Sequence, residues 1–378
     1  MQQIYLDHAA TTPLTDTVKE YIITILDEWG NPSSLHSKSN KPKQIISKSR
    51  QSIAKFINAA NEKEIYFVPS GSAGNTLAIK GLTSDNPEEN RYEVFYSPTS
   101  HKSMLKACES CRYNTPLKVN TYGELDLVYL DDILIRHNSW KPLVCIEAAN
   151  SEIGTVNDVI TIGNIVHKHN GILVVDATGY IPSYKVNMNL WKNYVDILTF
   201  SGHKLHALKG IGVLWKKNGV NLKPLIYGSQ ESGLIGGTEN VLGIASLGKA
   251  VEEYDYSSIS SANRDYVWNY IKSNIPEAYL VGAPLGEHRL PKNLNICFPK
   301  CEAESLMILL DMDKICVSVG SACSSGELTP SSTLVAIGIK EQDIHSCIRI
   351  SFGEKLNIHE LDYVCKSIFK NVNKLKEL

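Results

Sequence analysis

A lysine and an aspartate each stand at the end of a short apolar run. Gly171-Ile172-Leu173-Val174-Val175 ends in Asp176, and Val195-Asp196-Ile197-Leu198-Thr199-Phe200 runs into Ser201-Gly202-His203-Lys204. Short runs of this kind, rich in β-branched residues and bounded by small or polar ones, read as buried strands of a parallel sheet, whose carboxyl ends gather ligand-binding groups. The pattern brings a carboxylate and an amine to one rim. The amine can form a Schiff base with a carbonyl, and the carboxylate can keep a ring nitrogen protonated. Pyridoxal phosphate chemistry needs this pair. Either residue alone also fits a solvated charge at a loop start, so a third element decides. Val68-Pro69-Ser70-Gly71-Ser72-Ala73-Gly74-Asn75-Thr76 follows the strand-like Glu64-Ile65-Tyr66-Phe67 and opens the helix-like Leu77-Ala78-Ile79-Lys80. Glycines and small hydroxyls at a strand-to-helix turn expose N–H groups at the positive end of a helix, which makes a phosphate cup.

The elements that position these residues alternate. From about Pro42 to Val251 apolar runs at Glu64 to Val68, Glu93 to Tyr96, Pro142 to Ile146, Gly171 to Asp176, Val195 to Phe200 and Ile211 to Trp215 are separated by helix-like stretches. This is the signature of an α/β fold with a large, mostly parallel sheet. Beyond it come a helical stretch (Ser261 to Ile275), the strand-like Asn293 to Phe298, the helix-like Glu302 to Leu310, the strand-like Ile315 to Val319 and a closing helix from Ile358 to Leu378. The sequence thus predicts a large domain over 15–255 and a smaller α+β domain built from 1–14 and 256–378.

Composition narrows the function classes. A chain of 378 residues with 43% apolar content is long enough for two domains and a large core, and a formal charge of −2 gives no bias toward nucleic acid or an anionic membrane. The amino-terminal stretch lacks a basic region followed by an apolar one, and no apolar segment is long enough to span a bilayer, so a cytoplasmic protein is expected. Nine scattered cysteines do not form a disulfide framework. Cys108 and Cys111 have metal-site spacing but no second pair of ligands, Cys297 and Cys301 flank a strand end, and Cys145 and Cys365 read as core. No metal site is expected.

Further segments extend the pattern: Tyr5-Leu6-Asp7-His8-Ala9-Ala10-Thr11-Thr12-Pro13, Gly30-Asn31-Pro32-Ser33-Ser34-Leu35-His36, Ser100-His101-Lys102, Glu152-Ile153-Gly154, Asp176-Ala177-Thr178, Lys209-Gly210-Ile211-Gly212, Gly236-Gly237-Thr238-Glu239-Asn240 and Gly320-Ser321-Ala322-Cys323. Taken in order with the Ser-Gly-His-Lys segment, they resemble the cysteine desulfurases of the class V aminotransferase fold over nearly the whole chain. The Ser-Ala-Cys-Ser segment is similar to the branch with a long catalytic-cysteine loop. The resemblance implies the aspartate aminotransferase-like fold of pyridoxal 5'-phosphate enzymes. It also implies conversion of L-cysteine to L-alanine, with the sulfur left as a persulfide on Cys323 and passed to an acceptor, an iron–sulfur scaffold or a thiolation enzyme.

Carried over residue by residue, the resemblance makes Lys204 the Schiff-base lysine and the acid/base for the substrate α-proton. It sets Asp176 against the ring nitrogen and stacks His101 on the ring face. Gly71, Ser72, Ser201 and His203 match phosphate ligands, and Thr238 matches a residue reaching the partner subunit's phosphate, which implies a homodimer. Arg349, in Ser346-Cys347-Ile348-Arg349-Ile350-Ser351, matches the guanidinium that clamps the substrate carboxylate, with Asn31 as a second contact. Cys323 sits among small residues, which leave a nucleophilic thiol accessible.

Five positions depart from the family pattern. Ser151 stands where an asparagine contacts the cofactor's phenolic oxygen, Gly179 where a glutamine does, Ala73 where a glutamate is common, and Ser232 and Ile235 where arginines are usual. Losing two polar side chains at one oxygen is expected to alter the ring electronics and the Schiff-base pKa. The departures keep open a C–S or selenocysteine lyase that does not need Cys323, and a weakly active paralogue in sulfur relay.

Overall fold

The computed structural model of the protein describes residues 3–86, 88–137, 139–320, 330–353 and 356–377. Its centre is a seven-stranded sheet in the order Ile65–Val68, Gly212–Lys216, Ile197–Ser201, Ile172–Asp176, Lys141–Glu147, Tyr92–Tyr96 and Asn114–Pro116. All neighbours pair in parallel except Gly212–Lys216, which runs antiparallel to both strands beside it. Each predicted run is a strand because it is apolar on both faces. Val144, Ile146, Leu173, Val175, Leu198 and Phe200 fill one core, and the alternate residues Leu143, Cys145, Ile172, Val174 and Ile197 fill another. Side chains of a strand point alternately to opposite faces, so helix layers on both sides require such uninterrupted runs. A fully buried Val, Leu, Ile or Phe contributes about 1.5–3 kcal/mol each.

The helix Gly71–Lys80 starts where its sequence dictates. Ser70 is extended and its side chain accepts from the Ala73 N–H, satisfying one of the orphan donors of the first turn. Gly74 lets the helix lie against the sheet, since a Cβ there would stand 3.2 Å from Thr199 Cγ2. This close packing holds the helix N-terminus at the carboxyl ends of Ile172–Asp176 and Ile197–Ser201.

A four-stranded antiparallel sheet follows in the order Ser318–Val319, Cys347–Ser351, Asn293–Cys297 and Tyr279–Leu280. The helices Ala262–Asn274, Ala303–Met312 and Ile358–Lys376 contribute Val267, Ile271, Leu306, Leu310, Val364 and Ile368 to the core beneath it, which also takes in Ile4 and Leu6 from the amino-terminal segment. Asn357 and Glu360 close a capping box on the last helix. The stretch expected as one strand, Ile315 to Val319, is two. Ile315–Cys316 pairs in parallel with Ile4–Tyr5, and Ser318–Val319 pairs with Arg349 and Ile348, so the chain changes sheets at Val317. Cys108, Cys111, Cys145, Cys297, Cys301 and Cys365 are all buried. No helix among the described residues is long and apolar enough to cross a membrane.

Candidate active site at the carboxyl edge of the sheet

Lys204 ends a single 3-10 turn, Gly202–Lys204, directly after the strand Ile197–Ser201. Its Nζ donates to Ser151 Oγ at 3.1 Å. Burial, and then the Arg349 guanidinium, bring its pKa down to about 8, against the opposing pull of Asp176, Glu147 and Asp7. An amine in that range supplies a neutral nucleophile near neutral pH. Ser151 belongs to a turn pinned from both sides. Asn150 Oδ1 accepts from the Glu152 and Ile153 N–H groups at 2.8 and 2.9 Å, and Asn293 Nδ2 donates to Ser151 O at 3.1 Å.

Asp176 is buried at the end of its strand. Its two oxygens accept from Asn75 Nδ2 at 2.7 Å and from the Thr178 N–H at 2.8 Å, and Asn75 in turn accepts from Thr199 Oγ1 at 2.5 Å. The carboxylate is thereby fixed from the helix Gly71–Lys80 and from the next strand. His101 caps the helix Lys102–Glu109, with Nδ1 and Ser103 Oγ 2.8 Å apart. Desolvation holds His101 below its ordinary pKa, aided by Lys204 and Lys102 and opposed by Asp176. Its backbone N–H donates to Glu147.

Glu147 is a site residue that sequence reasoning missed. It lies opposite Asp176 in the strand register and is 8% exposed. Desolvation, with Asp176 next, pushes its pKa up to about 8. Glu147 therefore keeps its proton at neutral pH. The signal was present in the sequence, because Glu147 ends an apolar run just as Asp176 does.

The phosphate cup has the expected parts in contact. The Gly71 N–H donates to Ser201 Oγ at 2.9 Å, and a Cβ at Gly71 would fall 2.5 Å from that oxygen and 3.1 Å from Thr178 Oγ1. Thr178 Oγ1 is buried without a partner among the described residues. Ser72 follows on the exposed side of this helix start. An unmet buried hydroxyl at a glycine-lined helix N-terminus fits a phosphate group, and Asp176 and Lys204 fit the ring end of pyridoxal phosphate. His203 is tied to the amino-terminal segment, its Nδ1 standing 3.2 Å from Thr11 Oγ1, and burial, then Lys204 and Lys209, lower its pKa to about 4.

Arg349, on the strand Cys347–Ser351, donates from Nη2 to Asp7 Oδ1 at 2.7 Å, while its Nε is buried without a partner among the described residues. Asn31 is not brought to it. Asn31 is exposed and its Oδ1 accepts from the Ser33 N–H at 2.8 Å. Thr238 is likewise exposed. Cys323 lies outside the described residues, whose nearest ends are Gly320 and Pro330. Beside Lys204 and Ser151 opens a cavity of about 710 Å³ that runs past Gly179 to Tyr254 and Lys292. The Gly179 departure has a steric cause, since a Cβ there would stand 2.4 Å from Ala149 O and 2.8 Å from Ser151 Oγ. Ser151 and Gly179 are one arrangement, in which the serine hydroxyl holds the lysine and no side chain fits beside it.

The chain as a whole is similar to known proteins. The aminotransferase class-V family matches residues 4–364. A cysteine desulfurase of Nostoc sp. (strain PCC 7120 / SAG 25.82 / UTEX 2576) is 35% identical over 390 aligned positions that cover 100% of this chain and 95% of the relative. A NifS-like protein from Rickettsia africae ESF-5, solved by X-ray, superposes with a TM-score of 0.87 at 29% identity over 100% of both chains. SspA in complex with cysteine gives a TM-score of 0.80 at 30% identity, covering 94% of this chain and 100% of that one. With the family's match spanning both sheets and every element around Lys204, this chain belongs to the class-V aminotransferase family.

Proposed function

We propose that this chain is a pyridoxal phosphate-dependent cysteine desulfurase that takes sulfur from L-cysteine and releases L-alanine. The observation that carries this reading is the meeting of Lys204, Asp176 and the open N-terminus of Gly71–Lys80 at one sheet edge. The cofactor, when bound, supplies an electron sink for the substrate α-carbon. Gly71, Ser72, Ser201, His203 and Thr178 would hold its phosphate, Asp176 would keep its ring nitrogen protonated, His101 would pack against the ring, and Ser151 orients Lys204. Lys204, close to half-neutral near pH 8, moves the substrate α-proton. Arg349 takes the substrate carboxylate on the donors that Asp7 leaves free. The Cys323 thiolate attacks the substrate sulfur, so that an S–S bond forms as the Cβ–S bond breaks.

In this reading residues 15–255 present the lysine and the phosphate cup, while 1–14 and 256–378 present the arginine and the cysteine. The active form is a homodimer. Leu35, Tyr227 and Trp29 are 101%, 86% and 75% exposed, and large apolar side chains left this open suit burial against a second copy, which would bring Thr238 to the partner's phosphate. The persulfide passes to an acceptor protein, an iron–sulfur scaffold or a thiolation enzyme, in the cytoplasm. Purified protein incubated with L-cysteine and a thiol reductant should yield alanine and sulfide in equal amounts. Pyruvate and ammonia in place of alanine would replace this reading with a lyase.

A further inference from the structure

The ion pair between Arg349 and Asp7 joins residues at opposite ends of the chain. Arg349 lies in register with Asn295 and Ser318 on the strands to either side. Its side chain is 13% exposed and that of Asp7 20%. The Asp7 backbone is held on both sides. Asp7 bridges Ser351, Leu6 N–H donates to Cys316 O at 2.9 Å, and Ser351 N–H donates to Leu6 O at 2.7 Å. Tyr5 OH adds a bond to Asp7 O at 3.0 Å. The carboxylate is therefore a fixed point. It engages one guanidinium nitrogen, Nη2, and leaves Nε buried and unmet among the described residues. A guanidinium has five N–H donors in a rigid fork, so one carboxylate at one nitrogen leaves room for a second anion.

We propose that Asp7 is a positioning residue for Arg349, holding the guanidinium in the orientation that receives the carboxylate of an α-amino acid substrate. This rests on the reading of Arg349 as the carboxylate clamp. Without Asp7 a flexible side chain would have to be ordered by the substrate itself, at the expense of binding free energy, and a largely buried cation would lack a counter-charge. With Asp7 in place the ordering is complete before substrate arrives. Asp7 and Arg349 also act on Lys204 in opposite senses, the aspartate raising and the arginine lowering its pKa, so the pair moderates the field at the lysine.

The test is a titration of the cofactor-loaded protein, read by the change in its visible absorbance, with L-cysteine, with L-alanine and with ethylamine, which has no carboxylate. Asp7→Ala should raise the dissociation constant for the amino acids about tenfold and leave that for ethylamine within about twofold. Asp7→Asn keeps an oxygen for Nη2 and should restore the amino-acid value to within about threefold of the parent. Asp7→Ser carries the same expectation as Asp7→Ala and serves if the alanine variant does not fold. The proposal is overturned if the amino acids bind the truncated variants as tightly as the parent or more tightly, or if ethylamine weakens in parallel. A parent that responds to L-alanine but not to L-cysteine would sink the substrate reading and leave Asp7 to be judged on L-alanine.

Discussion

Gly179→Ala should damage both stability and the lysine, and the structure fixes the sign of each effect. The added Cβ would fall 2.4 Å from the Ala149 carbonyl oxygen and 2.8 Å from Ser151 Oγ. The carbonyl cannot withdraw as a side chain would, because Ala149 bridges Val156 and the preceding Ala148 is bonded through its N–H to Asp176 O and through its O to the Asn157 N–H. Overpacking of this kind costs about 1–3 kcal/mol, enough to lower Tm by a few degrees in a chain of this size. The second contact, with the Ser151 hydroxyl, is relieved by rotation of that side chain, which breaks its bond from Lys204 Nζ. That bond favours the ammonium form, so losing roughly 1.4 kcal/mol of it takes the lysine pKa down by about one unit, from the present value of about 8. The assay reacts cofactor-depleted protein with pyridoxal phosphate over a pH series, reduces with borohydride and counts the Lys204 adduct by mass. The parent should be half-maximal near pH 8 and the variant about one unit lower, whereas Ser151→Ala should move the pH curve and leave Tm nearly unchanged. A Gly179→Ala protein with the parent's Tm and pH curve would refute the steric reasoning. The family-like pair Ser151→Asn with Gly179→Gln places a longer side chain against the same carbonyl and should lower the soluble yield.

Other outcomes follow from the same geometry. Lys204→Ala should lose the borohydride-reducible adduct and still retain cofactor through its phosphate, measured by equilibrium dialysis. Thr178→Val removes a buried hydroxyl with no partner among the described residues, and should weaken cofactor binding about three- to tenfold by the same dialysis if that hydroxyl meets the phosphate. His101 is held below its ordinary pKa and is therefore neutral at pH 7, so the acid limb of its NMR titration should lie below the usual 6.5. Leu35→Asp puts a charge in place of an apolar side chain assigned to burial against a second copy, and sedimentation should show a shift from dimer to monomer.

Much of this arrangement was legible in the sequence because it depends on local pattern. The apolar runs ending at Asp176 and Lys204 needed only their length and β-branched content to be read as central strands. The Val68 to Thr76 turn displayed its glycines and small hydroxyls between a strand-like and a helix-like stretch. What depends on distant pairing was not legible. The split at Val317 follows from two different partner strands, one of which, Ile4–Tyr5, is too short to show periodicity. The Arg349 to Asp7 pair spans nearly the whole chain, and nothing near either residue announces the other. The Gly179 departure read as a lost hydrogen bond, yet its cause is a carbonyl oxygen supplied by another strand end, which only the folded backbone reveals. Glu147 was readable and was overlooked, since the rule that singled out Asp176 applies to it equally.

The most direct test of the central claim is the mass of the peptide carrying Cys323 after one turnover with L-cysteine in the absence of reductant. The account predicts a gain of one sulfur on Cys323, about 32 Da, matched by one alanine per active site, and loss of both signals in Cys323→Ser although L-cysteine still perturbs the cofactor's absorbance. Alanine and free sulfide produced at the parent rate by Cys323→Ser would contradict it.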